Sequence, residues 1–422
     1  MFPCLSEHCA MPRSKVPGGL VCIGFAFVSY LQSRKSTVVK SWYSDACSMG
    51  SSISGLFSAL SKTISSPALP QPCDSGYNPN SDLDLVQDPV DPLELLQECR
   101  EVLRNRPPRL NRTFVQTGNG DPRQTAIRVM QWNVLAQALG EGMDSFVKCP
   151  MDALNWPERK YLILEEILTY RPDIVCLQEV DHYFDMFQPI LSSLGYQSSF
   201  CPKPWSPCLD VKNNNGPDGC ALFFNHKRFQ LISTTNLRLS AMMLKTNQVA
   251  IIATLRCQAT GRAFCVAVTH LKARSGWEVV RSAQGSDLLR NLRNVAQKVE
   301  TDESADSDIP LIVCGDFNAE PTEDVYRNFA TSSLGLDSAY KRLSTDGKTE
   351  PPYTTWKIRT SGESCDTLDY VWYSHRAFHV NALLDFPTAE QIGPNRLPSY
   401  NYPSDHLSLV CDLSFKDVTL VS

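Results

Sequence analysis

Apolar and polar positions change period several times along this chain, and each change marks an element. From Ile127 to Asn133 they alternate, as in a half-buried strand, and the run ends on an asparagine. A helical period follows from near Pro157, with Tyr161, Leu164 and Leu168 on one face, and it must stop before Pro172. Ile174 to Leu177 is continuously apolar, the signature of a buried strand, and it runs through Gln178 to end on Glu179. A helix is expected around Asp181 to Leu194, then a strand from Tyr196 to Phe200. Cys201 to Pro217, rich in proline and asparagine, reads as a surface loop with a stiffened arm carrying Lys203. Asp218 and Gly219 then turn into a strand at Cys220 to Phe224.

The second half repeats this grammar. Val249 to Cys257 and Ala263 to Thr269 predict a hairpin joined through Thr260 and Gly261. Its second strand runs into His270, with Lys272 and Arg274 just beyond. Trp277 to Val299 has a helical period, and the acidic stretch Thr301 to Asp308 reads as a solvated loop. Pro310 to Cys314 is a short β-branched run that halts at Gly315 and is followed by Asp316, Phe317 and Asn318. Alternation along an extended chain points Asp316 and Asn318 the same way and turns Phe317 toward the core. Pro321 to Glu323 then opens a helix. Strands are expected at Tyr353 to Arg359, Thr367 to Tyr373, and Leu407 to Cys411 after Ser404, Asp405 and His406. No internal repeat is visible, leucine-rich or otherwise.

The first part of the chain differs. Residues 1–120 read as a largely disordered region and 121–422 as one folded domain. Between Glu7 and Asp45 there is no acidic residue, while Arg13, Lys15, Arg34, Lys35 and Lys40 stand among serines. That composition is transit-peptide-like and predicts a mitochondrial pool beside a cytoplasmic one. Leu20 to Leu31 is too short to span a bilayer. Ser48 to Asn80 reads as a linker, and residues 93–103 have the spacing for one docked helix. Apolar residues make up 42% and charged residues 20% of the 422, ordinary values for a globular protein. The formal charge of −5 supplies no overall field to hold a polyanion. The 16 cysteines are scattered, with no Cys-x-x-Cys pair, which predicts reduced thiols and neither a zinc site nor a disulfide framework.

Functional-looking polar residues thus sit at strand ends six times: Asn133, Glu179, His270, Asp316 with Asn318, Asp369, and Asp405 with His406. Converging strand ends are where layered α/β domains build sites. Glu179, with the Asn133 carbonyl, offers hard oxygen ligands suited to Mg²⁺. Asp369 is placed to orient His406, which then stays protonated against a phosphorane-like transition state. Asp316 aligns or activates the attacking water. No serine or cysteine nucleophile stands out, so water attacks phosphorus directly.

Glu179 after its strand, the Gly315 to Asn318 run, Leu368-Asp369-Tyr370 and Ser404-Asp405-His406 together resemble the endonuclease/exonuclease/phosphatase superfamily. Met130 to Ala136 and Leu177 to Val180 are similar to its carbon-catabolite-repression deadenylase branch. Cys201 to Cys208 and Thr269 to Arg274 narrow the resemblance further within that branch. It covers roughly residues 121–422 and implies a four-layer α/β sandwich of two packed mixed sheets flanked by helices. It further implies a Mg²⁺-dependent phosphatase, with Mn²⁺ as a possible substitute, that removes the 2′-phosphate of NADP⁺ and NADPH. A poly(A) 3′-exoribonuclease is the alternative activity, and a non-catalytic RNA-regulatory scaffold a third reading. By this resemblance Asp316, Asn318, His270, Asp369 and His406 are catalytic. Asn133, Lys203, Arg274 and Arg359 bind substrate, and Glu179, Asn133 and Asp405 hold the metal.

Overall fold

The computed structural model describes residues 90–118, 126–212, 214–297 and 309–416. The transit-like segment, the linker and the acidic stretch 301–308 lie outside the described residues.

Two mixed sheets stack face to face. The first has seven strands in the spatial order β1 (Phe114–Gln116), β14 (Phe378–Leu384), β15 (Leu409–Phe415), β2 (Ile127–Asn133), β3 (Ile174–Val180), β5 (Gly219–Asn225) and β4 (Tyr196–Pro202). The second has six: β10 (Leu336–Ser338), β13 (Asp369–Ser374), β9 (Leu311–Asp316), β8 (Ala263–His270), β7 (Leu244–Cys257) and β6 (Phe229–Ala241). Only β2 with β3 and β8 with β9 run parallel. A separate pair, β11 (Thr355–Arg359) and β12 (Gly362–Asp366), closes one side of the site.

Alternation explains the layers. Ile312 and Cys314 of β9, Val266 and Val268 of β8 and Val371 of β13 face the first sheet, where Val129, Ile174, Cys176 and Leu409 meet them. Leu311 and Val313 point the other way, with Trp372 and Phe317, onto α3 (Glu278–Gln297) and α4 (Asp324–Ala330) through Leu288, Leu292, Val325 and Phe329. On the outer face of the first sheet lies α2 (Trp156–Tyr170), with α1 (Pro92–Val102) against it. The result is the expected helix–sheet–sheet–helix sandwich. Arg171, at φ 46, ends α2 just before Pro172.

The helix expected over 93–103 is present, but the fold also extends across the expected boundary at 120. Strand β1 pairs antiparallel with β14, Phe114 opposite Leu384. Arg100 meets Glu165 at 3.2 Å, and Arg109 meets Glu166 at 2.7 Å. A three-residue strand tied down by arginines leaves no periodicity to read. Strand β6 escaped the pattern for a related reason. It is a sheet edge, so its Ser, Thr and Asn positions face solvent on both sides. Among the described residues the cysteines are free thiols, all buried except Cys365. No described helix is long and apolar enough to cross a membrane.

Candidate active site

Strand register assembles the centre. His270 at the end of β8 lies opposite Asp316 at the end of β9, and Asp316 lies opposite Asp369 at the start of β13. Across the sandwich, Asn133 ends β2 opposite Gln178. Gly315 is required here, because a Cβ would come 2.6 Å from the Thr269 carbonyl oxygen of β8. Asp316 keeps the parity of Ile312 and Cys314, so it faces the space between the sheets, and Phe317 turns into the outer core as alternation predicts.

Alternation alone would send Glu179 away with Val175 and Leu177. Instead the β3–β5 ladder breaks between Leu177 and Val180, and Glu179 adopts a left-handed φ of 56. Non-glycine residues in that region concentrate where a side chain must be re-aimed. Leu135 (φ 61), Asn318 (φ 50) and Arg274 (φ 80) do the same around this centre.

Asn133 is the hub. Its Nδ2 donates to Glu179 Oε1 and to Asp316 Oδ2, both at 3.0 Å, while its Oδ1 accepts from Leu135 N–H at 3.0 Å. The amide oxygen, expected on the metal, meets a backbone N–H here. Between two carboxylates only the amide N–H groups make attractive contacts, so Asn133 positions Glu179 and Asp316. For Asn318 the direction expected of the side chain is corrected. Its backbone N–H donates to Asp316 Oδ1 at 2.8 Å, but its side-chain amide turns to the Leu271 carbonyl at 3.1 Å. The left-handed turn breaks the alternation that would have aimed it beside Asp316.

The histidine–carboxylate pair is present as expected. His406 Nδ1 lies 2.8 Å from Asp369 Oδ2, which also accepts from Thr354 Oγ1 at 2.7 Å. Burial works against a charged ring, but Asp369 and then Asp405 outweigh it and raise His406 to about 9. Its Nε2 stands 3.8 Å from Asp316 Oδ2. Burial raises Asp316 itself, and His406 opposes that rise. His270 is the opposite case. Burial, then Lys203 and His406, hold it well below the usual histidine range, so it is neutral, 3.5 Å from Asp316 Oδ2.

The cations lie deeper than expected. Lys203 is buried, its Nζ 2.6 Å from Asp218 Oδ2 and 3.5 Å from His270 Nδ1, so it belongs to the wall rather than the mouth. Burial lowers its ammonium, but Asp218 and Glu179 more than compensate. Arg359 Nη2 donates to Asp144 Oδ2 at 2.7 Å and reaches Asp405 Oδ2 at 3.4 Å. Of the three cations expected on the substrate, only Arg274 is exposed.

Asp405, expected on the metal, lies among cations. Its Oδ2 accepts from Lys357 Nζ at 2.6 Å, and despite burial Lys357, His406 and Arg359 hold it well below the usual carboxylate range. That oxygen anchors Lys357 and Arg359. Lys357 itself, 3.5 Å from His406 Nε2, was missed. Its signal was its place two residues before Arg359 on one strand, which sets both on one face.

Glu179 is half-buried and pushed up to about 7, by burial first and then by Asp405 and Asp218. Excess negative charge around a hard oxygen donor fits a divalent cation. Asp316, Asp369 and His406 also offer ligand atoms within 4.8 Å of one another. His406 Nδ1 is taken by Asp369, which leaves Glu179 and the carboxylates of that trio as the oxygen donors available to a divalent cation.

Comparison with known proteins agrees with this geometry. The model of the endonuclease/exonuclease/phosphatase family matches residues 130–406. Nocturnin of Homo sapiens is 60% identical over 414 residues, 98% of this chain and 91% of that protein. The CCR4-Not complex 3′-5′-exoribonuclease subunit Ccr4 of Yarrowia lipolytica is 30% identical over 320 residues, 63% of this chain and 45% of that one. The structure of the human Nocturnin catalytic domain with bound sulfate anion superposes with a TM-score of 0.61, covering 74% of this chain and 100% of that one at 60% identity. ANGEL2, a 2′,3′-cyclic phosphatase, gives a TM-score of 0.59 at 26% identity over 72% of this chain and 98% of its own. Motifs, sandwich and strand-end centre therefore converge: the chain belongs to the endonuclease/exonuclease/phosphatase family and, within it, to the nocturnin group.

Proposed function

We propose that the protein hydrolyses the 2′-phosphate of NADP⁺ and NADPH, giving NAD⁺ and NADH, with Mg²⁺ or in its place Mn²⁺. The observation that carries the reading is the His406–Asp369 pair facing Asp316 across 3.8 Å, a cationic acid opposite a carboxylate base. Asp316, held by the Asn133 amide and the Asn318 N–H, aligns water for attack on phosphorus. His406 and Lys357 present positive charge where phosphoryl oxygens gain negative charge. Neutral His270 buttresses Asp316 from the other side. Glu179 is the residue that holds the metal, with Asn133 fixing its carboxylate. The ion, when bound, supplies charge against the phosphoryl oxygens.

Substrate choice rests on the motif resemblance and on two further supports. A relative is named for phosphate chemistry at the ribose 2′ position, and another carries a bound sulfate, an analogue of phosphate. Lys203 and Arg359 sit on Asp218, Asp144 and Asp405, which suits a compact anion better than a long RNA track. The second reading, poly(A) 3′-exoribonuclease, is favoured by the identity to the Ccr4 subunit. Offering the purified protein NADPH and a poly(A) oligonucleotide side by side separates them. NADH and phosphate are expected with little shortening of the RNA; shortening with intact NADPH overturns the proposal, and neither reaction leaves the scaffold reading. We place the protein in mitochondria and cytoplasm, and a reporter fused to residues 1–75 is expected to enter mitochondria; a diffuse or secreted reporter contradicts this.

A further inference from the structure

Between Gly219 and Trp277 the chain holds eight lysines and arginines and no aspartate or glutamate, within a protein whose formal charge is −5. Strands β6 and β7 occupy the centre of that stretch. Ala250 pairs with Thr269 near the end of β8, and the residues of β7 before it, back to Leu244, pair with β6 alone. The hairpin therefore overhangs the end of the sheet that carries His270.

Its tip is Met242 and Met243, between paired Ala241 and Leu244. Both methionines are left-handed, at φ 50 and 68. Two such residues in a two-residue hairpin loop are the positions that Asn and Gly fill most readily. The side chains are nonetheless apolar and exposed: 64% for Met242, 100% for Met243 and 72% for Leu244. Just below them lie two exposed cations. Arg238 Nε donates to the Thr246 carbonyl at 2.6 Å, and Lys245 Nζ to the Arg238 carbonyl at 2.9 Å, so each rests on backbone rather than on a carboxylate. Buried Asp287 holds the Ser240 N–H at 2.7 Å and is itself neutralised by exposed Arg290. The underside of the tip is fixed, and its outward charge is positive.

We infer that this hairpin tip is a docking element for an anionic lipid surface, with Met242, Met243 and Leu244 entering the headgroup boundary and Arg238 and Lys245 meeting lipid phosphates. Flexible apolar side chains ringed by cations match that chemistry. A nucleic-acid strand asks instead for aromatic stacking faces, and the tip has none.

The test uses the full chain and sedimentation with vesicles of phosphatidylcholine, alone or mixed with phosphatidylserine. Binding is expected to the mixed vesicles and to fade with salt. M242N/M243G, which suits the turn and is expected to melt no lower than the parent, loses at least about tenfold in partitioning. R238Q/K245Q keeps its fold and loses the preference for phosphatidylserine. Neither variant touches the catalytic centre, so hydrolysis of a soluble substrate stays at the parent rate. Unchanged sedimentation of M242N/M243G overturns the inference. So does binding of a labelled RNA oligonucleotide that depends on Arg238 and Lys245 without vesicle binding, or a dimer that the methionine variant dissolves.

Discussion

Replacing Asp369 by asparagine keeps the size of the side chain and removes the charge that holds His406 protonated. With a pKa of about 9 the imidazole is ~97% charged at pH 7.5. Rising from 6.5 to about 9 corresponds to about 3 kcal/mol of preference for the cation. Burial opposes the charge and Asp369 is the largest group favouring it, so D369N lowers the ring's pKa even though Asp405 and Asp316 remain. Each unit by which it falls below the working pH costs about tenfold in the protonated fraction. The ring also loses its 2.8 Å charged partner, and Thr354 loses a carboxylate acceptor. Together these lower turnover by about 10²-fold. The sign follows from the raised value: activity due to protonated His406 is present below pH 9 and lost as pH rises through it. In D369N that alkaline limb moves to lower pH, so the deficit widens as pH rises toward 9. Initial rates of phosphate release across pH 6–10, with a melting curve to verify the fold, measure this. A wild-type rate with an unmoved alkaline limb would refute the pairing, and so would a deficit equal at every pH.

Glu179→Ala abolishes turnover while the melting temperature holds, and EDTA does the same to the parent reversibly on adding Mg²⁺; full activity of the variant removes Glu179 from the metal. Lys203→Met breaks a buried pair and leaves Asp218 uncompensated, lowering stability by about 3–5 kcal/mol in denaturant titration. It slows NADPH and a small phosphomonoester alike, because Lys203 lies in the wall; a loss confined to NADPH would return it to the mouth. If exposed Arg274 reaches the pyrophosphate of the dinucleotide, Arg274→Ala weakens NADPH hydrolysis by about 10- to 100-fold, the worth of one charged contact, and barely changes a small ester that lacks it; equal effects would contradict that reach.

Strand ends were legible because alternation and buried runs are local signals. Asp316, Phe317, His270 and Asp369 each keep the parity their strands dictate, and register across β8, β9 and β13 does the rest. Positions that break parity were only half legible. Glu179 was found as a strand-end carboxylate, but a bulge and a left-handed turn bring it inward. The same kind of turn at Asn318 takes its amide away. Pairing between distant segments left no trace at all: Lys203 with Asp218, Lys357 with Asp405 and Asn133 between two carboxylates depend on which loops meet. Hence Lys203, which the resemblance assigned to the substrate, lies in the buried wall of the site.

The most direct measurement is mass analysis of the products of NADPH in ¹⁸O-labelled water with the purified protein and Mg²⁺. The expected outcome is NADH without label and inorganic phosphate carrying one ¹⁸O, formed in equal amounts and absent with Glu179→Ala. Label in the NADH ribose, cleavage at the pyrophosphate to two mononucleotides, or intact NADPH would contradict water attack on the 2′-phosphate.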